Sequence, residues 1–300
     1  MAKAKEVERE QQNPKALAVP TAPQSDQLPA EMDDIDNLLY EHAGMGVSLR
    51  ASDNITPSIV VLQPLSPQVL AGPQQLPRAA AGDFWIRGAD DPIIKGQAGF
   101  YFQPVTMTEW WFEFVPREKG GGFVARYPVE YGNDGNMKAP NGARQDRDNP
   151  YRYTFANGNN CTHYRFIPGI LWENRIGLEY VIQFHGTGHT IARQWNTKWT
   201  RKRFPNGKIM PTFSHIYHLS TVQRSNPKGT WFIITVDEGV PIRKVENIIG
   251  DIRPAIMRGL ALAQAFATGE KVEATPDQDV DIEQGHTTTL KEDAKDEIPF

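Results

Sequence analysis

Residues 178–184 read LEYVIQF, and in an extended chain Leu178, Tyr180, Ile182 and Phe184 fall on one side while Glu179 and Gln183 fall on the other. Alternation with a period of two marks a half-buried strand. Upstream, EWWFEFV at 109–115 puts Trp110, Phe112 and Phe114 on one face and Trp111 and Val115 on the opposite one, so both faces carry apolar groups. Downstream, TWFIITV at 230–236 follows a turn at Asn226, Pro227 and Gly229. The runs SIVVLQPLSP, AGDFWIRG and GFYFQPV are likewise short, apolar and punctuated by Pro and Gly, which is the pattern of strands and turns. The Gly-, Asn- and Asp-rich stretch 132–162 is expected to be an extended loop or insertion.

Two helices are expected among these strands. Over 190–203, Ile191, Trp195 and Trp199 recur every four residues as one apolar stripe, with Arg193, Lys198, Arg201, Lys202 and Arg203 filling much of the rest. Near the end of the body, Ile252, Ile256, Leu260 and Ala263 mark a second stripe, with Asp251 as N-cap, Pro254 in the first turn and Gly269 just past the end. Many short strands with one or two helices predict a mainly β fold. An elaborated OB-fold-like barrel with long insertion loops and a C-terminal helix is the expected architecture. A β-sandwich with an appended helix gives nearly the same pattern.

Charge divides the 300 residues into three parts. Residues 1–53 hold 5 basic and 10 acidic side chains, residues 272–300 hold 2 and 9, and so residues 54–271 hold 25 and 17, which turns a net charge of −4 into −5, +8 and −7. The aromatics follow the same division, since Tyr40 and Phe300 are the only Phe, Trp or Tyr residues outside 54–271. The middle is therefore read as the folded, nucleic-acid-binding body, and the two acidic ends as disordered tails. Within the first tail, Ile35, Leu38, Leu39 and Tyr40 after Asp33 and Asp34 predict a short helix.

Several classes are excluded or disfavoured. No run approaches the roughly 18 apolar residues of a membrane span, and the N-terminus MAKAKEVEREQQ has no apolar core of a signal peptide. A single cysteine, Cys161, makes no internal disulfide and suits a reducing compartment, so a cytoplasmic location is expected. Phosphate-loop, dinucleotide-loop and nucleophile-elbow motifs are missing, and no cofactor is expected. His185 and His189 are four apart, His215 and His218 three apart, and Cys161 lies two before His163, but strand and turn contexts make these spacings weak metal signals.

A basic, aromatic-rich body suits an unpaired nucleic-acid strand, whose phosphates attract cations and whose bases stack on flat rings. The densest cationic run, Arg193 to Lys208, holds six Lys/Arg (Arg193, Lys198, Arg201, Lys202, Arg203 and Lys208) and no acid. A second candidate is Arg117 and Lys119 beside Gly120, Gly121 and Gly122, whose bare amides suit close approach to phosphate. Trp195 and Trp199 lie on an apolar stripe and are expected in the core, as are Trp110, Phe112 and Phe114. Trp111, Tyr101, Phe123, Tyr151 and Tyr153 are the stacking candidates, with Arg152 between the last two.

The chain ends in KEDAKDEIPF, closing with Asp296, Glu297, Ile298, Pro299 and Phe300. This ending resembles the acidic tip of bacterial-type single-stranded DNA-binding (SSB) proteins, although Ala294 and Lys295 stand where further acids are usual. The run PSIVVLQPLSP, the GDFW turn, VPREKGGGF, ARQWN and the GTWF strand are similar, more loosely, to the SSB-like proteins that bacteriophages encode. The resemblance implies a non-catalytic protein that coats single-stranded DNA during replication, recombination and repair. It implies too that Asp296, Glu297, Ile298, Pro299 and Phe300 contact replication, repair and recombination enzymes. A homo-oligomer is compatible with it. Two rival readings stay open: an interaction protein that uses such a tail without touching DNA, and a metal-dependent nuclease.

Overall fold

The computed structural model describes residues 55–276 apart from 90, 91, 146–152 and 228. The expected tails and the short helix around Ile35–Tyr40 lie outside the described residues, apart from the start of the C-terminal segment. In chain order the strands are β1 (Ile55–Thr56), β2 (Ser58–Val61), β3 (Phe84–Ile86), β4 (Ile93–Ile94), β5 (Phe100–Pro104), β6 (Thr108–Phe114), β7 (Phe123–Pro128), β8 (Glu130–Tyr131), β9 (Met137–Lys138), β10 (Ala143–Gln145), β11 (Tyr153–Phe155), β12 (Asn160–Glu173) and β13 (Ile176–Phe184). Helix α1 (Gly188–Thr200) follows, then β14 (His215–Asn226), β15 (Gly229–Val236), β16 (Val240–Pro241), the short α2 (Glu246–Ile249), α3 (Ile252–Thr268) and β17 (Val272–Glu273).

The fold is mainly β, as expected, and its main sheet runs β15-β14-β5-β12-β13-β2-β3-β4. Alternation sorts the long strand β12 into two faces. Ile167 and Leu171 point inward with Phe102, Ile182, Ile59 and Tyr217 from paired strands, and α1 fills the interior with Ala192, Trp195 and Trp199. Tyr164, Phe166, Ile170 and Trp172 point outward, under α2, α3 and the Phe266 ring. The expected stripe of α1 is therefore core. In β13 the two faces diverge from the simple alternation, because Val181 is as buried as Ile182 while Leu178 is exposed.

The sheet curls until its two ends meet, and the seam is fastened by a few isolated bonds, most of them from side chains, rather than by a ladder. Gln63, just after β2, donates from Nε2 to the Phe232 carbonyl at 3.0 Å and accepts from the Phe232 N–H at 2.9 Å. A side-chain amide thus copies a peptide group. Thr221 adds two bonds, its N–H to the Gly96 carbonyl at 2.9 Å and its hydroxyl to the Gly82 carbonyl at 2.6 Å. Close approach there requires glycine: a Cβ at Gly82 would lie 2.4 Å from the Phe232 ring, and one at Gly96 would lie 1.9 Å from the Gly82 oxygen. The GDFW turn is this seam. Gln63→Leu keeps the size but leaves the Phe232 peptide unpaired, so it is expected to cost about 2–3 kcal/mol. A fall in Tm of roughly 4–10 °C checks this; a melt indistinguishable from the parent would mean other contacts hold the seam.

Helix α3 starts and stops where its sequence signals lie, with Asp251 Oδ1 accepting from the Arg253 N–H at 3.0 Å and Gly269 in the left-handed conformation. Its buried face is rotated from the expected one, however. Ala255, Gly259 and Leu262 are buried, whereas Leu260 is 37% exposed. Small residues win because they allow close packing: a Cβ at Gly259 would lie 2.9 Å from Phe213 Cβ. The fully buried Gln103 locks the approach, donating to the Phe213 carbonyl at 2.8 Å and accepting from Trp172 Nε1 at 3.0 Å.

The stretch 132–162, expected as an extended loop or insertion, carries short strands of its own. It carries β9, which pairs with β8 just before it, the antiparallel pair β10 and β11, and the first residues of β12, which pairs with β6 from Asn160↔Phe114 onward. Asn and Gly there serve tight turns, as at Gly142 and Gly158, both with positive φ.

Candidate functional site

Helix α1 buries Trp195 and Trp199 and so turns its cations outward, but those cations divide into two groups. Lys198 donates to the Val236 and Asp237 carbonyls, each at 2.9 Å, and pairs with Glu238 at 2.9 Å. Lys202 donates to the Glu238 carbonyl at 3.1 Å. These two fasten the helix to the chain leaving β15. Arg193, Arg201 and Lys208 have no side-chain partner among the described residues and face solvent.

Beyond Thr200 the expected helix gives way to a two-stranded tongue, 201–210. Its arms are bridged at Arg203↔Ile209, with the Phe204 N–H on the Lys208 carbonyl at 2.8 Å and the Met210 N–H on the Lys202 carbonyl at 2.9 Å. The Pro205-Asn206-Gly207 tip closes with Gly207 at φ 82°, and Arg203 Nη1 donates to its carbonyl at 3.0 Å. Beside the tongue's base, burial and the Lys202 and Arg243 charges hold the His215 imidazole below its ordinary range. Arg243 and Lys244 are exposed in the single turn Ile242–Lys244. They lie 35 or more positions beyond Lys208 in the sequence, two and three residues past Pro241, which pairs with His215 between β14 and β16.

The second expected patch has a different character. Gly120, Gly121 and Gly122 all have positive φ, at 105°, 68° and 119°. The N–H groups of Gly120 and Gly121 bond to the Arg117 and Pro116 carbonyls, so those amides close the turn rather than await a phosphate. Lys119 Nζ reaches the Asn157 carbonyl at 3.4 Å. Phe123 is 47% exposed beside this tip.

Of the stacking candidates, Trp111 is corrected: it is 2% exposed, and its indole N–H bonds to the Lys138 carbonyl at 3.0 Å. Its face of β6 is covered by β9, at Lys138, and by Tyr153, whose half-buried ring packs 5.2 Å from it. Tyr101 is 40% exposed on the outer face of β5, edge-on to His218. Tyr151 and Arg152 lie outside the described residues, as do Asp296, Glu297, Ile298, Pro299 and Phe300. Phe204 and Ile209, exposed on the tongue, were not singled out by the sequence because the helical stripe reads on through Arg203.

The face shared by Glu109, Trp111 and Glu113 with Cys161, His163 and Arg165 is a buried polar layer. Glu109 receives Arg165 Nε at 2.7 Å, lies 3.6 Å from His163 Nε2 and accepts from the Tyr131 hydroxyl. Burial pushes its carboxyl up, but the contacts with His163 and Tyr131 and the Arg165 charge outweigh this and bring it down to about 2. His189 stacks on His163 with ring centres 4.6 Å apart, and burial together with neighbouring charge pushes it down to about 3. Burial and Glu113 push the Cys161 thiol up to about 12, which leaves it a protonated core group rather than a nucleophile. Among the described residues no group of three or more His, Cys, Asp or Glu is placed to hold a metal ion, and no helix is long and apolar enough to cross a membrane.

No curated protein and no solved structure matches the chain. A family model described as Pam3 phage gp34-like protein does match, over residues 26–246. That span takes in the whole curled sheet, α1, the tongue and the Arg243–Lys244 turn, well over half of the sequence. The chain belongs to the Pam3 phage gp34-like family.

Proposed function

We propose that the chain is a phage-encoded, non-catalytic single-stranded DNA-binding protein acting in replication, recombination and repair, with enzymes recruited through Asp296–Phe300. The observation that carries this reading is that Arg193, Arg201 and Lys208 face solvent with no side-chain partner among the described residues, with the exposed ring of Phe204 on the same tongue as Lys208. Cations without internal partners replace condensed counterions on a polyphosphate, and an exposed ring offers a face to an unstacked base. The body's charge of +8 between anionic ends favours the same ligand class.

Titrating labelled poly-dT with the full chain at several salt concentrations tests it. The log of the binding constant is expected to fall linearly with log salt, at about −0.7 per neutralised phosphate, giving a slope of roughly −2 to −3.5 for three to five contacts. Failure to retain poly-dT in dilute buffer would overturn the reading and leave an interaction protein that works through its tail.

A further inference from the structure

The tongue 201–210 carries a feature that phosphate attraction leaves unexplained. Phe204 is 43% exposed although a soluble fold gains nothing from holding a benzyl ring in water, and the backbone that carries it is tightly braced. Two cross-strand bonds, the Gly207 N–H on the Phe204 carbonyl at 2.9 Å, the Asn206 side chain on the Lys208 N–H at 3.1 Å and the Arg203 guanidinium on the Gly207 carbonyl together fix the hairpin. Lys202, anchored on the Glu238 carbonyl, ties its base to the body. The ring is thus presented on a rigid support.

Alternation decides what stands beside it. Arg203 and Ile209 are directly opposite and share one face of the tongue, so Phe204 and Lys208 share the other. Lys208 has no partner among the described residues. One face therefore pairs a flat apolar ring with a free ammonium on a backbone that needs no reorganisation. A nucleotide whose base is unpaired presents the matching pair, a π-face and a phosphate. In a duplex both faces of each base are already stacked, and opening a step costs a few kcal/mol.

We propose that Phe204 is the residue that discriminates unpaired from paired strands, stacking on one exposed nucleobase while Lys208 takes an adjacent phosphate. This rests on the nucleic-acid reading above and adds to it the source of strand preference. The cations alone bind either form of nucleic acid; the ring binds one.

The test compares the full chain with Phe204→Ala and Phe204→Trp, measuring anisotropy of a labelled dT oligonucleotide and of a labelled duplex at several salt concentrations. Phe204→Ala is expected to weaken dT binding about 5- to 100-fold. Its salt slope and duplex affinity stay unchanged, so the preference collapses, while Phe204→Trp retains it. Unchanged thermal melts confirm that an exposed ring was removed without harm to the core. If the parent prefers dT and Phe204→Ala keeps that preference, or if the parent binds both forms equally, the assignment of Phe204 is wrong although DNA binding stands. If the parent binds neither, the underlying reading itself falls.

Discussion

Replacing Arg193, Arg201 and Lys208 together by glutamate lowers the affinity for poly-dT by more than about a hundredfold in low salt and flattens the salt slope by about 2, three phosphates at about 0.7 each. The change reverses three charges that make no internal contact among the described residues, so the melting temperature stays near that of the parent. Lys198→Ala is the contrasting variant. It removes the donor to the Val236 and Asp237 carbonyls and to Glu238, so it lowers stability while leaving the slope nearly intact. A triple variant that binds as the parent does, with the same slope, would move the interface elsewhere on the body.

Glu109→Ala is the most destabilising single change expected in the polar layer. It strands the Arg165 guanidinium, only 12% exposed, without its carboxylate, and breaking a buried pair from one side costs about 3–5 kcal/mol. A fall in Tm of roughly 6–15 °C is the readout. Replacing both partners, Glu109→Leu with Arg165→Met, is expected to recover much of the loss, because no unpaired charge remains. Acid has a related effect. The folded-state carboxyl titrates near 2 against an ordinary 4.5, so its contribution is fully present above pH 4.5 and is lost as pH falls from there toward 2. Stability of the parent should decline over that window more steeply than that of the double variant. Equal acid sensitivity would remove Glu109 as the cause.

The parts of the fold that the sequence makes legible are those set by local chemistry. Asp251 and Gly269 bound α3 because a cap and a left-handed stop act within one turn. Trp195 and Trp199 read as core because helical spacing alone puts them on one stripe. What stays hidden depends on which surface covers which. Trp111 shares a face with two glutamates, and nothing nearby in the sequence says that Lys138 and Tyr153 close over it. The face of α3 turns on Gly259, whose value lies in a contact with Phe213, 46 positions earlier. The tongue is hidden by continuity, since the cationic run crosses the end of α1 without a break in composition.

The fastening of the seam by Gln63 has a mechanical consequence. Elsewhere the wall is riveted by repeated backbone hydrogen bonds, whereas here a lone carboxamide and the two Thr221 bonds carry the load. Tension on the wall concentrates at that joint. Local opening of the body is therefore expected to expose the Phe232 and Thr221 amides before it reaches the ladder that holds β14 to β5.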